Sequence, residues 1–272
     1  MFYHEVTWFR YAIIITAFYD GKDVFMSIEI EHLVGGYSQV PVLKDVNFSV
    51  ADGEVVGLIG LNGAGKSTTI NHIIGLLTPQ RGHIRVGGVE LINDAQAYKQ
   101  QIAYIPEMPV LYDELTLEET LTLTMMAYGL DEQATWKRAH ELLKKFRLDN
   151  KLNWFPANFS KGMKQKVMIV NAFMTEAPVF IIDEPFLGLD PVAVHDLLTL
   201  IEDAKSRGAS VLMSTHVLAN AEKYCDRFVL LHDGQVRVAG TLPELQAAFP
   251  EAGDSLEDIY LTLANGERDA ND

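Results

Sequence analysis

Apolar positions along the chain recur with two different periods, and the changes of period predict its elements. Ile28-Glu29-Ile30-Glu31-His32-Leu33 alternates every second residue, as a half-buried strand does. Residues 28–59 continue as strands with turns at Gly35-Gly36 and Asp52-Gly53, which predicts a small β-rich layer. Val55-Val56-Gly57-Leu58-Ile59 is a short apolar run, followed by a glycine-rich turn and then by Thr69-Ile70-Asn71-His72-Ile73-Ile74, a helix. Pro79-Gln80-Arg81-Gly82 turns into the strand His83-Ile84-Arg85-Val86, and Ile102-Ala103-Tyr104-Ile105 is a short buried strand ended by Pro106.

Beyond Pro106 the period becomes helical. Thr116-Leu117-Glu118-Glu119 has capping-box spacing and predicts a helix to about Tyr128. Asp131 is placed to cap the next, Glu132 to about Arg147, whose apolar face carries Trp136, Leu142, Leu143 and Phe146. A third helix starts near Ser160. From Val179 the order is strand, helix, strand, helix, strand: Val179–Ile182, Val192–Ser206, Val211–Ser214, Val217–Tyr224 and Phe228–His232. Such alternation implies a parallel sheet with helices on both faces. Asp233-Gly234 turns a terminal hairpin, and the acidic tail after Thr241 carries two short helices that are expected to be peripheral. The resulting plan is an α/β core with an N-terminal antiparallel β layer, a helical insertion over about 106–175 and an acidic helical tail over 243–272.

Composition narrows the classes. The 272 residues are 48% hydrophobic and 22% charged, typical of a soluble globular protein. A formal net charge of −15 argues against a general nucleic-acid binder, which needs a basic face. Cys225 is the single cysteine, so no intrachain disulfide forms, and it is expected to be a packed core thiol in a reducing compartment. The apolar stretch Tyr11 to Tyr19 is too short to span a bilayer, and Asp20-Gly21-Lys22-Asp23 is no signal-peptide cleavage site. Met26 stands just before the first alternating strand, so residues 1–25 are expected to be an upstream extension outside the fold.

The chemistry begins at Gly60-Leu61-Asn62-Gly63-Ala64-Gly65-Lys66-Ser67-Thr68. Between a strand and a helix this is a P-loop. Its glycines let successive N–H groups face inward as an anion nest, and the first helical turn adds unsatisfied amides. Lys66 is expected to reach the β- and γ-phosphates and the Ser67 hydroxyl to ligate Mg²⁺. Val179-Phe180-Ile181-Ile182-Asp183-Glu184 ends in two acids at a strand end, where α/β sheets bind ligands. Asp183 is placed as a partner for Mg²⁺. Glu184 is placed to orient and deprotonate the attacking water, which makes a hydrolase a more natural reading than a kinase. The eight histidines show no metal-ligand spacing, so no structural zinc is expected.

Other segments extend this to a family. Asn158-Phe159-Ser160-Lys161-Gly162-Met163-Lys164-Gln165-Lys166 resembles the signature motif of ABC ATPases. Phe186-Leu187-Gly188-Leu189-Asp190 resembles their D-loop, and His216, ending Met213-Ser214-Thr215-His216, their switch histidine. Tyr37 sits where an aromatic stacks on adenine. The resemblance covers roughly residues 28–240 and implies an ABC ATPase domain over 26–242 built on a P-loop NTPase (RecA-like) core. Tyr104-Ile105-Pro106-Glu107, Trp154-Phe155-Pro156 and the Phe159–Met163 run are similar, more narrowly, to the ATP-binding subunit of Ecs-type exporters of Gram-positive bacteria.

The resemblance implies ATP and Mg²⁺ as cofactors and a head-to-tail dimer in which each P-loop faces the signature of the other subunit. Ser160 and the Gly162 amide then contact the γ-phosphate held by Lys66 of the partner subunit. Two positions depart from the family. Lys161 and Met163 stand where glycine and glutamine are usual, and Lys161 is expected to face solvent rather than phosphate. Glu107 stands where the family offers glutamine to Mg²⁺, and a carboxylate there is at least as good a ligand.

The leading expectation is the motor subunit of an exporter, cytoplasmic and peripheral on the inner face of the cell membrane, driving a separately encoded permease. Met108-Pro109-Val110-Leu111-Tyr112, with the helix from Thr116, is either the permease contact or core of the helical insertion. The alternative is an ABC-type ATPase acting on ribosomes or nucleic acid. Against it stand a single cassette, no long coiled coil and the acidic charge. A GTPase is disfavoured because no Asn-Lys-x-Asp motif occurs.

Overall fold

The computed structural model describes residues 26–266. The expected extension over 1–25 and the last six acidic-tail positions lie outside the described residues.

Two sheets organise the molecule. Strands β1 (Met26–Gly35), β2 (Leu43–Ala51), β4 (Arg81–Val86) and β5 (Val89–Glu90) form an antiparallel sheet in the order β2-β1-β4-β5. Strands β3 (Val55–Ile59), β6 (Ile102–Ile105), β7 (Val179–Asp183), β8 (Ser210–Thr215), β9 (Arg227–His232) and β10 (Gln235–Gly240) form the second, in the order β10-β9-β3-β8-β7-β6. It is parallel except for the β9–β10 hairpin. The β layer expected over 28–59 is therefore split. β1 and β2, each with one solvated side, stay in it, while β3 joins the parallel sheet. Every residue of β3, β7 and β8 is buried, as continuous apolar strands covered on both faces are.

Helices α1 (Lys66–Ile73), α2 (Ala95–Gln100), α3 (Leu117–Tyr128), α4 (Glu132–Lys145), α5 (Lys161–Phe173), α6 (Pro191–Ser206), α7 (Leu218–Tyr224), α8 (Leu242–Ala248) and α9 (Leu256–Gly266) complete the chain. Their starts follow local chemistry. Thr116 and Glu119 form the expected capping box on α3, and Asp131 caps α4 through the Ala134 N–H. One core lies between the parallel sheet and α3–α6, around Phe146, Phe173 and Phe180. A second joins the two sheets around α1, through Ile28, Val46, Leu58 and Ile70.

A third core corrects the expectation of a peripheral tail. Leu245 of α8 and Leu256, Ile259 and Tyr260 of α9 are buried against Ile59, Ala221, Phe228 and Leu230. Their spacing puts Leu256, Ile259, Tyr260 and Leu263 on one helical face, which covers the end of β3 just before the P-loop. Cys225 packs between the first and third cores, and burial pushes its thiol up to about 12, consistent with an inert core residue. Among the described residues no helix is long and apolar enough to cross a membrane.

Candidate nucleotide site

The parallel strands deliver the expected residues to one edge. β3 runs directly into Gly60, and the loop then curls through Gly63 and Gly65, whose φ values of 86 and 111 lie where side chains are disfavoured. Gly65 is the N-cap of α1 and no side chain caps the first-turn amides. Those amides, together with the helix dipole, are left to an anion. Lys66 is 7% exposed and its ammonium donates to the Gly60 carbonyl at 2.6 Å. Burial lowers its pKa, and the carboxylates of Glu184, Asp183 and Glu107 oppose that shift. These four side chains come from three separate segments of the sequence, and the fold brings the three carboxylates within electrostatic reach of Lys66.

Asp183 ends β7, buried, and accepts a 2.5 Å hydrogen bond from Ser214 Oγ on neighbouring β8. Desolvation chiefly raises its pKa, partly offset by the Ser214 bond, and the negative charges of Glu107 and Glu184 add to the rise. A buried carboxylate crowded by two others is the setting a hard cation relieves. Ser67, Asp183 and Glu107 are all oxygen donors of the kind that hold Mg²⁺ alongside phosphates, so the donor set fits that ion.

Glu184 follows in a left-handed backbone conformation, φ 47, uncommon for a residue with a side chain. Its N–H donates to the Ser214 carbonyl and hydroxyl at 3.2 and 3.1 Å. That bend lifts the carboxylate off the sheet towards His216, whose Nδ1 lies 2.8 Å from Oε2 and whose backbone N–H donates to the same oxygen at 3.3 Å. Thus Glu184 and His216, singled out separately in the sequence, form one pair. Ser214 holds both acids, and sequence reasoning missed that role because a serine inside a strand carries no signal of its cross-strand partner.

Tyr37 stands in the loop after β1, 65% exposed, its hydroxyl accepting from Asn71 Nδ2 on α1 at 2.9 Å. An accessible ring tethered to the P-loop helix is suited to stacking on a base. Glu107 is exposed just beyond β6, and the preceding Pro106 carbonyl accepts from Gln165 Nε2 at 3.2 Å. Gln165 is fully buried and its Oε1 has no partner among the described residues. It ties the Glu107 loop to α5, a link detectable in the sequence only as a lone polar residue on an apolar helix face.

Ser160 and Gly162 belong to a second group. Ser160 caps α5 by accepting from the Met163 N–H at 3.3 Å. A Cβ on Gly162 would stand 2.7 Å from the Gly188 carbonyl, so this position admits only glycine without movement of the D-loop. Lys161 is exposed, as expected, with its methylene chain beside Gly188. Asp190 caps α6 through the Val192 and Ala193 amides and pairs with Lys166 at 2.7 Å. No hydrogen bond joins this group to the P-loop among the described residues. Among the described residues the signature segment and the P-loop form two separate groups.

Comparisons with known proteins bear on the family and the fold. A family model described as ABC transporter matches residues 43–187. The chain is 56% identical over 236 residues to the ABC-type transporter ATP-binding protein EcsA of Bacillus subtilis, covering 87% of this chain and 96% of that one. A solved structure described as the ATP-binding subunit of an ABC transporter superposes with a TM-score of 0.85 at 56% identity, covering 87% of this chain and 99% of that one. A dimeric ATP-binding cassette, MJ0796, solved in a post-hydrolysis state with ADP and Pi, is 26% identical with a TM-score of 0.71, covering 79% and 98%.

Proposed function

Since the chain belongs to the ABC transporter family and is an ATP-binding, ATP-hydrolysing subunit of it, we propose that it is the motor of an exporter whose membrane-crossing part is a separate chain. Two copies bind head to tail, cytoplasmic and held at the inner face of the membrane through that permease. The observation that carries the reading is the Glu184–His216 pair, set beside the loop of Lys66 at the edge of the parallel sheet.

The steps follow from the residues. The P-loop amides and Lys66 bind the β- and γ-phosphates, and Tyr37 takes the adenine. Lys66 keeps its bond to the Gly60 carbonyl and gives its remaining N–H groups to phosphate oxygens, charged and therefore stronger acceptors. Glu184, its carboxylate fixed by His216, orients the attacking water and accepts its proton. Ser67, Asp183 and Glu107 would hold Mg²⁺, which when bound would supply charge neutralisation for the phosphates. Ser160 and Gly162 of a second copy complete the site from the opposite side, which accounts for their separation from the P-loop within one chain. The likeness to EcsA, an ABC-type transporter ATP-binding protein, supports the transporter motor, and the likeness to a dimeric cassette supports the pairing of two copies.

Affinity capture of the tagged chain from detergent-solubilised membranes tests this. Recovery of a polytopic membrane protein in comparable amount is the expected result. Recovery of ribosomes or nucleic acid in its place would move the chain to the alternative reading.

A further inference from the structure

The Gly60–Leu61 peptide unit is gripped from both sides. Its carbonyl accepts the Lys66 ammonium at 2.6 Å, and its N–H donates to the Tyr260 hydroxyl at 2.6 Å. Tyr260 comes from α9, some two hundred positions later in the chain, and is 7% exposed. We propose that Tyr260 is a positioning residue for the P-loop: its hydroxyl fixes the peptide plane that aims Lys66 and so sets the affinity for the nucleotide's phosphates.

Three further observations make α9 a rigid anchor for that hydroxyl. Leu256 and Ile259 are wholly buried beside Ile59, the last residue of β3 before the loop. The Leu256 N–H donates to Glu222 Oε2 at 2.9 Å, tying α9 to α7, the helix that follows His216. The Ser255 hydroxyl accepts the Asp258 N–H at 3.1 Å and closes the helix's first turn. The tail therefore bonds both to the loop that opens with Gly60 and to α7, the helix that follows the His216 loop. The Leu61 N–H is the donor of a peptide whose carbonyl already serves Lys66, so among the described residues the tyrosine is the hydrogen-bonding group that holds that plane from outside the loop. A loop ordered before binding loses less freedom on binding and holds ligand more tightly.

The proposal rests on the nucleotide site described above, and calorimetry on the full chain separates the two. If the wild-type chain binds neither ATP nor ADP, the site itself is wrong. If it binds, Tyr260→Phe, which removes one oxygen and keeps the ring, is expected to raise the Kd of both ATP and ADP by about three- to tenfold, the range one hydrogen bond contributes. The KM for ATP should rise by the same factor, with a smaller change in kcat and a melting temperature within two degrees or so of wild type. Ile259→Ala serves as the control. It loosens the packing of α9 but keeps the hydroxyl and the Glu222 and Ser255 bonds that hold the helix, so it should lower the melting temperature while costing clearly less affinity than Tyr260→Phe in the temperature range where the variant is folded. Unchanged affinity in Tyr260→Phe overturns the proposal whatever its melting temperature does. An equal loss of affinity in Ile259→Ala also overturns it, since general loosening then suffices.

Discussion

Glu184 is held in an uncommon backbone conformation by Ser214, and its carboxylate by His216, so the structure spends local strain on aiming one group. Glu184→Gln keeps size and hydrogen-bonding reach but cannot accept a proton. ATP binding should persist while hydrolysis falls by about 10²–10⁴-fold, the usual share of a general base. Phosphate release beside a calorimetric titration checks it, and wild-type turnover would remove Glu184 from the role. Lys66→Ala should fail differently. It removes the one full positive charge inside the loop and leaves three carboxylates facing the phosphates without it. Nucleotide affinity itself should collapse, and an unaltered Kd would contradict the placement of Lys66. The residue types of this site were legible in the sequence because a P-loop and an acid-ended strand are local patterns. Ser214 and Tyr260 were not, because each acts on a residue distant along the chain.

At the scale of elements, Asp190 joins two helices. It caps α6 and pairs with Lys166 of α5, and the Lys166 bond and the cap amides hold its carboxyl down at about 2 against an ordinary 3.8. A carboxylate with a depressed native pKa contributes stability that is present above the unfolded value and lost as pH falls through the folded one. Asp190 is about half-exposed, which screens its pair with the more buried Lys166, so the cap is taken as the larger contribution. Asp190→Ala should therefore cost about 0.5–2 kcal/mol in urea melts at neutral pH. The gap to wild type should stay level above pH 5 and close between about pH 4 and pH 2. A gap that persists unchanged at pH 2 would show that charge is not its source. Caps such as Thr116 and Asp131 were legible because cap and capped amide lie within three residues. The burial of α9 was present as period, Leu256, Ile259, Tyr260 and Leu263, but acidic neighbours at the end of a chain masked it. The placement of β3 in the parallel sheet was harder still, because strand alternation does not specify which sheet a strand joins.

For the whole molecule, the proposed completion of each P-loop by the signature segment of a second copy predicts that Glu184→Gln with ATP should scatter light as a dimer and without nucleotide as a monomer. The link from that dimer to a membrane partner is proposed to run through the segment after Glu107, since Gln165 ties the Pro106 carbonyl to the signature helix. The sequence left Met108 and Leu111 together as either socket or core, and the structure separates them. Met108 is 58% exposed with Val110 and Tyr112 also open, whereas Leu111 packs against the core of the helical insertion. Exposed apolar side chains gathered in one short loop mark an interaction site more often than chance exposure does. Met108→Ser should consequently leave the melting temperature and the ATPase of the isolated subunit unchanged while co-purification with the membrane protein is lost. Leu111→Ser should instead lower the melting temperature, because a partly buried leucine replaced by a hydroxyl loses burial and leaves a polar group to satisfy. One thermal melt and one pull-down on each variant distinguish the roles. Retained co-purification in Met108→Ser at wild-type stability would exclude the loop as the socket, and the search would turn to the exposed Met126 on α3.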